Sequence, residues 1–286
     1  MRTDLILPEP TGKCCYFDKI QFWACKPLNR DELAVLEKEC GPGGIHIDNR
    51  PARFNNRHRR YRQRIELRQP SRRALRRLAR RSDVLINRVE ITLDLTFKYR
   101  GDAEKARDFF YQHLVRRWHG KNQEIRVCRS EPSEEHPGTG ETRYDAGGQA
   151  RNRLAIYAED HSRATGELNC IHIEWRVRSP RAIRAAGVNS GKDLPEFDHR
   201  AFWQKRLLLY AVDWRHLGLL IRNRRMGTKR RSSRAHRTDA HSMDGRAEEV
   251  YARAYNTVQE LIDDLKSSCR IRLALKRIPN DTLLPE

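Results

Sequence analysis

"RVEITLDLTF", residues 88–97, is the stretch whose reading decides the fold. Side chains alternate faces along a strand, so Val89, Ile91, Leu93 and Leu95 fall on one side, and Glu90, Thr92, Asp94 and Thr96 share the other. A strand with one apolar and one polar face belongs to a sheet whose apolar side is packed. The carboxylates stand out because the 58 Lys and Arg outnumber the 38 Asp and Glu, leaving a net charge of +20 and a pI near 10.1.

That charge favours a polyanionic partner. It is also clustered. Residues 51–81 hold thirteen Arg and a single acid, Glu66, while "RNRRMGTKRRSSRAHR" at 222–237 holds eight basic residues and no acid. Arg72, Arg73, Arg76, Arg77 and Arg80 surround the exposed part of a short helix with Ser71 at its N-cap, and Arg230 and Arg231 sit in the second run. Both are read as phosphate-binding surfaces. No apolar run approaches the roughly 20 residues that span a bilayer, and "MRTDLILPEPTGK" lacks a signal-peptide core, which points to a cytoplasmic protein. The seven cysteines form no Cys-x-x-Cys pair and read as reduced packing thiols.

Outward from the opening strand, "YFDKIQFWA" (16–24) and "RYRQRIELRQ" (60–69) alternate as strands, with a helix from Asn29 or Asp31 to Gly41 between them. A periodic helix, "DAEKARDFFYQHLVRRWHG", comes after the acidic strand. "EIRVCR" (124–129), "RNRLAIYAED" (151–160) and "NCIHIEWRVRS" (169–179) are further strands, and Pro180 opens a short helix. The fold class is therefore α+β: one antiparallel or mixed sheet with helices packed on one face, plus a helical C-terminal region. The expected domains are an α+β unit over 14–190, a helical extension over 191–221, a basic linker over 222–245, and an amphipathic helix with its tail over 246–286.

A second strand repeats the pattern of the first. In "IHIEWRVR", His172, Glu174, Arg176 and Arg178 share one face. With the polar faces aligned, Glu90, Asp94 and Glu174 converge, and three oxygen ligands on a sheet suit Mg²⁺ or Mn²⁺. His172 is a further candidate, as metal ligand or proton shuttle. Acids on a wet sheet face also serve simply to pair with arginines.

Between these strands lies "GETRYDAGGQARNRLAIYAED" (140–160), which resembles a stretch of the rolling-circle replication initiators of small plasmids. Gly140, Thr142, Tyr144 and, thirteen residues on, Tyr157 stand in that family's order, although Gly147 comes one position late. "INRVEITLDLTF" is similar to the family's earlier acidic strand, with Glu90 and Asp94 at its acids. "HIEWRVRSPRAIRAA" is similar to its later strand and helix, with Glu174 at its glutamate. "FDKIQFW" resembles the Asp-containing first strand of these initiators and of those of filamentous phages. The family's Lys after the second tyrosine is missing here, where Ala158, Glu159, Asp160 and His161 stand.

The resemblance covers about residues 16–190. It implies an endonuclease that nicks one strand at a plasmid or phage origin, keeps the 5′ phosphate on a tyrosine and leaves a 3′ hydroxyl for a polymerase. Tyr157 is then the first candidate nucleophile and Tyr144 the second. Glu90, Asp94 and Glu174 would hold the cation, and Arg151, Arg153, Arg176 and Arg178 would clamp phosphates. Origin DNA, single-stranded or hairpin, a host helicase and polymerase, and a second copy of the chain are the implied partners. Two other readings stay open: a basic DNA- or RNA-binding regulator without chemistry, and a metal-dependent nuclease that forms no covalent intermediate.

Overall fold

The computed structural model describes residues 7–41, 43–49, 61–115, 123–129, 141–147, 152–212, 215, 218–219 and 275–286, some by backbone alone. In chain order the strands are β1 (Gly12–Ala24), β2 (Ile45–Asp48), β3 (Gln63–Arg68), β4 (Val84–Thr96), β5 (Leu114–Val115), β6 (Gln123–Arg129), β7 (Glu141–Gly147), β8 (Asn152–His161), β9 (Leu168–Arg178), β10 (Leu208–Val212) and β11 (Leu275–Arg277). The helices are α1 (Arg30–Lys38), α2 (Arg72–Ala79), α3 (Arg100–His113), α4 (Pro180–Ala185) and α5 (His199–Gln204). The chain divides into two compact units, residues 1–107, 118–205 and 281–286, and residues 108–117 and 206–280.

The first unit is built on an eight-stranded sheet in the order β2-β3-β1-β4-β9-β8-β7-β6, with every pairing antiparallel. This is the α+β sheet the alternation predicts. β4 lies between β1 and β9, so Glu90, Thr92 and Asp94 stand directly opposite Arg176, Glu174 and His172. The apolar side carries Ile20, Phe22, Ile91, Leu93, Ile171, Ile173 and Ile156, all fully buried. α4 and α5 cover that side: Phe17 meets Phe197 at 5.2 Å between ring centroids, and Trp175 meets Phe202 at 6.3 Å.

Two bulges keep this alternation in step. Across β1 and β4, Phe17 faces Ile91 but Lys19 faces Glu90, so Asp18 is an extra residue. A bulge lets two successive residues lean the same way. Phe17 and Ile20 therefore both remain in the core, while Asp18 and Lys19 are left beside the carboxylates. Asn87 is the corresponding extra residue on β4, between Ile86 and Arg88.

The caps follow local chemistry. Asn29 accepts from the Glu32 amide in a capping box at the start of α1, and the Ser71 hydroxyl accepts from the Ala74 amide at α2. Pro180 occupies the first turn of α4.

In the second unit, β10 pairs with β5 and β11, both antiparallel. His113 Nδ1 lies 2.8 Å from the Tyr210 carbonyl oxygen, and its ring contacts Phe109 at 4.5 Å. Two expectations are corrected here. The extension read as helix over 191–221 holds the strand Leu208–Val212, because a short continuous apolar run fits a buried strand as well as a helix. The C-terminal tail likewise contains a strand, at Leu275–Arg277. The amphipathic helix at 246–268 and the basic linker at 222–245 lie outside the described residues. Among the described residues no helix is long and apolar enough to cross a membrane.

Candidate metal and nucleophile site

On the polar face of the sheet, Glu90, Thr92, Asp94, His172 and Glu174 are all buried. Long cationic residues shield them. Lys19 lies 3.6 Å from Glu90, and Arg88 also pairs with Glu90. Arg176 grips Glu174 through two nitrogens, at 2.9 and 2.7 Å.

Oxygens of Asp18, Glu90 and Glu174 lie within 4.8 Å of one another. Three hard oxygen donors at this spacing, on three adjacent strands, match what a small divalent cation takes up while keeping coordination positions for water or phosphate. Asp18 is held from both ends: its carboxylate accepts from Gln69 Nε2 at 2.8 Å, and its backbone carbonyl accepts from the Gln69 amide at 2.9 Å. Gln69 makes both contacts from a left-handed backbone, φ 43°, that side-chain-bearing residues seldom adopt.

The three-acid group differs from the expected one. Glu90 and Glu174 are in it, Asp18 takes the third place, and Asp94 stands aside. Asp94 is occupied by three donors: Ser162 Oγ at 2.6 Å, Tyr16 Oη at 3.1 Å, and His172, whose Nδ1 lies 2.7 Å away. Burial raises the Asp94 carboxyl, but His172, Ser162 and Tyr16 outweigh it and hold it below the usual range. For His172 burial acts to remove the proton, yet Asp94 lifts its pKa to about 9, so the pair is ionic at neutral pH. His172 is thus placed as the charged partner of Asp94 and not as a member of the three-acid group.

Burial and the neighbouring Glu174 push Glu90 up to about 7, whereas Arg176 and the Glu90 hydrogen bond override burial and hold Glu174 low. Glu90 therefore carries a proton that a cation must displace. Its folded pKa is raised, so the proton is present below about pH 7 and gone above it. Mn²⁺ affinity is accordingly expected to level off above that pH and to fall by about tenfold per unit below it. Titration calorimetry between pH 5.5 and 8.5 checks this, and a flat profile would contradict it.

Tyr157, on β8, stands opposite His172 in the register. Its hydroxyl lies 3.5 Å from Glu174 Oε2, and its ring is 4.8 Å from the His172 ring. Burial, then Glu174, keeps the phenol well above its ordinary pKa despite the nearby Arg163 and Arg176, so it is neutral at neutral pH. Tyr144 falls on β7 opposite Ala155 by backbone register.

The arginines divide. Arg176 serves the carboxylates. Arg72 and Arg76 pair with Glu196, and Arg73 with Glu39. Arg77 and Arg80 form no ion pair with a described acid, and Arg178 is exposed at the end of β9. Arg151, Arg230 and Arg231 lie outside the described residues, as does the side chain of Arg153. Arg163, which the sequence reading passed over, reaches this face from the β8–β9 turn. Its Nη1 is 3.4 Å from Asp18, it bonds Glu159, and its guanidinium lies 6.0 Å from the centre of the Tyr157 ring.

No known family matches the sequence, and no curated protein does. Among solved structures, the chain is similar to a rolling circle replication initiator protein from Geobacillus stearothermophilus. The likeness has 13% identity and a TM-score of 0.35, and it covers 64% of this chain and 80% of that one.

Proposed function

We propose that this chain nicks and rejoins one DNA strand through Tyr157, with Mg²⁺ or Mn²⁺ held by Asp18, Glu90 and Glu174, and that it thereby initiates rolling-circle replication. The observation that carries this reading is the Tyr157 hydroxyl 3.5 Å from Glu174 Oε2, itself one of three carboxylates gathered within 4.8 Å. A nucleophile beside a cation site suits phosphoryl transfer, in which the cation would offset charge on the phosphate that the tyrosine attacks. The initiator resemblance of residues 140–160 puts the same tyrosine first, with Tyr144 second.

In the reaction, Tyr157 Oη attacks phosphorus in line and its proton passes to solvent. The bond from phosphorus to the 3′ oxygen breaks, and that oxygen takes a proton from water to become a free hydroxyl. Rejoining reverses each step. When bound, the cation polarises the phosphate and offsets charge on its oxygens. The charged His172 ring stabilises the developing phenolate, Asp94 keeps His172 charged, and Lys19, Arg88 and Arg176 draw the DNA backbone toward an otherwise acidic face.

The test is incubation with labelled single-stranded DNA tiled across the source replicon, with Mn²⁺, with Mg²⁺ and with chelator. A label migrating with protein on a denaturing gel, only when metal is present, is the expected result. DNA cut without an adduct would instead identify a hydrolytic nuclease, and DNA bound but uncut a binding protein.

A further inference from the structure

Arg163 links the carboxylate side of this site to its tyrosine side, touching Asp18 and lying beside the Tyr157 ring. It sits one residue beyond Ser162, which is buried and fixed by its hydrogen bond to Asp94 and by a 2.7 Å backbone bond from its amide to the Glu167 carbonyl. The turn closes through Gly166, at φ +74°. Its backbone is therefore anchored, while its side chain is 40% exposed, against 20–21% for Lys19, Arg88 and Arg176. One side of the guanidinium contacts Asp18 and the other Glu159, beside the Tyr157 ring.

A divalent cation competes with Arg163 for the charge of Asp18, because the doubly charged ion attracts the carboxylate more strongly. Loading the cation then frees the guanidinium beside the tyrosine, still tethered through Glu159. A planar fork of donors released at that point suits the non-bridging oxygens of a phosphate on Tyr157.

We infer that Arg163 is a phosphate-binding residue of the strand-transfer reaction that cation loading releases from Asp18. This inference rests on the reading of Tyr157 and the three-carboxylate group given above.

Its distinguishing consequence is a pair of effects with opposite sign. Arg163→Ala removes a competitor from Asp18, so Mn²⁺ binding by the full-length protein should tighten, by about threefold or more, as expected when a nearby like charge is taken from a cation's ligand. Adduct formation at saturating Mn²⁺ should slow by roughly 100-fold, the order seen when one transition-state donor is removed. Arg163→Lys keeps the charge but loses the fork, and should give Mn²⁺ affinity near wild type with an intermediate rate. A merely structural residue would lower both quantities. Equal adduct rates for wild type and Arg163→Ala, or parallel losses of rate and Mn²⁺ affinity in both variants, would overturn the inference. Wild-type protein that binds Mn²⁺ yet forms no adduct would instead remove the reading it rests on.

Discussion

Tyr157→Phe is expected to abolish the covalent protein–DNA species, slowing strand transfer roughly 10³-fold or more, as removal of a nucleophile does elsewhere. The change deletes one oxygen from a ring that otherwise keeps its place beside His172 and Arg163. DNA affinity, measured by fluorescence anisotropy, should stay near the wild-type value, because on the proposed reading it is the arginines that hold the DNA. Among the described residues, the hydrogen bond given up is the long contact to Glu174. Loss of affinity in parallel with activity would mean that the ring positions DNA and does no chemistry. Tyr144→Phe, on the neighbouring strand, should leave the adduct intact.

The second large effect separates the two aspartates. Asp94→Ala strips the buried, charged His172 of its counterion and leaves Ser162 and Tyr16 without their acceptor. Breaking a buried pair from one side costs about 3–5 kcal/mol, so this variant should melt at a markedly lower temperature. Asp18→Asn removes a carboxylate from a cluster of like charges, and its melting should change little. Its Mn²⁺ affinity should fall by at least about tenfold, a loss that outer partners of a metal site can already cause. Calorimetric melting and Mn²⁺ titration of both variants check this. The reverse assignment, with Asp94 governing Mn²⁺ and Asp18 governing stability, would restore the ligand set read from strand alternation alone.

Why alternation alone leaves Asp18 out of the three-acid group is visible in β1. Strict period-two reading from Phe22 through Ile20 would put Asp18 on the apolar side. The bulge between Phe17 and Lys19 turns it to the polar one, and nothing in "YFDKIQFWA" announces an extra residue. Alternation did put Glu90 and Glu174 on one face of adjacent strands, as they stand, since β4 and β9 pair in simple register throughout. The same alternation put His172 beside Asp94. Arg163 stayed hidden for a different reason: in "HSRATG" it reads as a turn residue, and it meets Asp18, 145 positions away, only once β8 and β9 close their hairpin next to the buried acids. The strand Leu208–Val212 was lost to a helical reading because "LLLYAV" offers no polar residue to fix a period. The arginines of α2 were easy to find, but not their occupation by Glu39 and Glu196, which come from distant segments.

The most direct measurement is mass spectrometry of the protein after reaction with DNA and Mn²⁺, followed by nuclease and tryptic digestion. Cleavage after Arg153 and Arg163 yields the peptide "LAIYAEDHSR", whose single tyrosine is Tyr157, while Tyr144 lies in "YDAGGQAR". A nucleotide mass on Tyr157 is the predicted result. The same mass on Tyr144, or unmodified peptides after the DNA has been cut, would contradict the account.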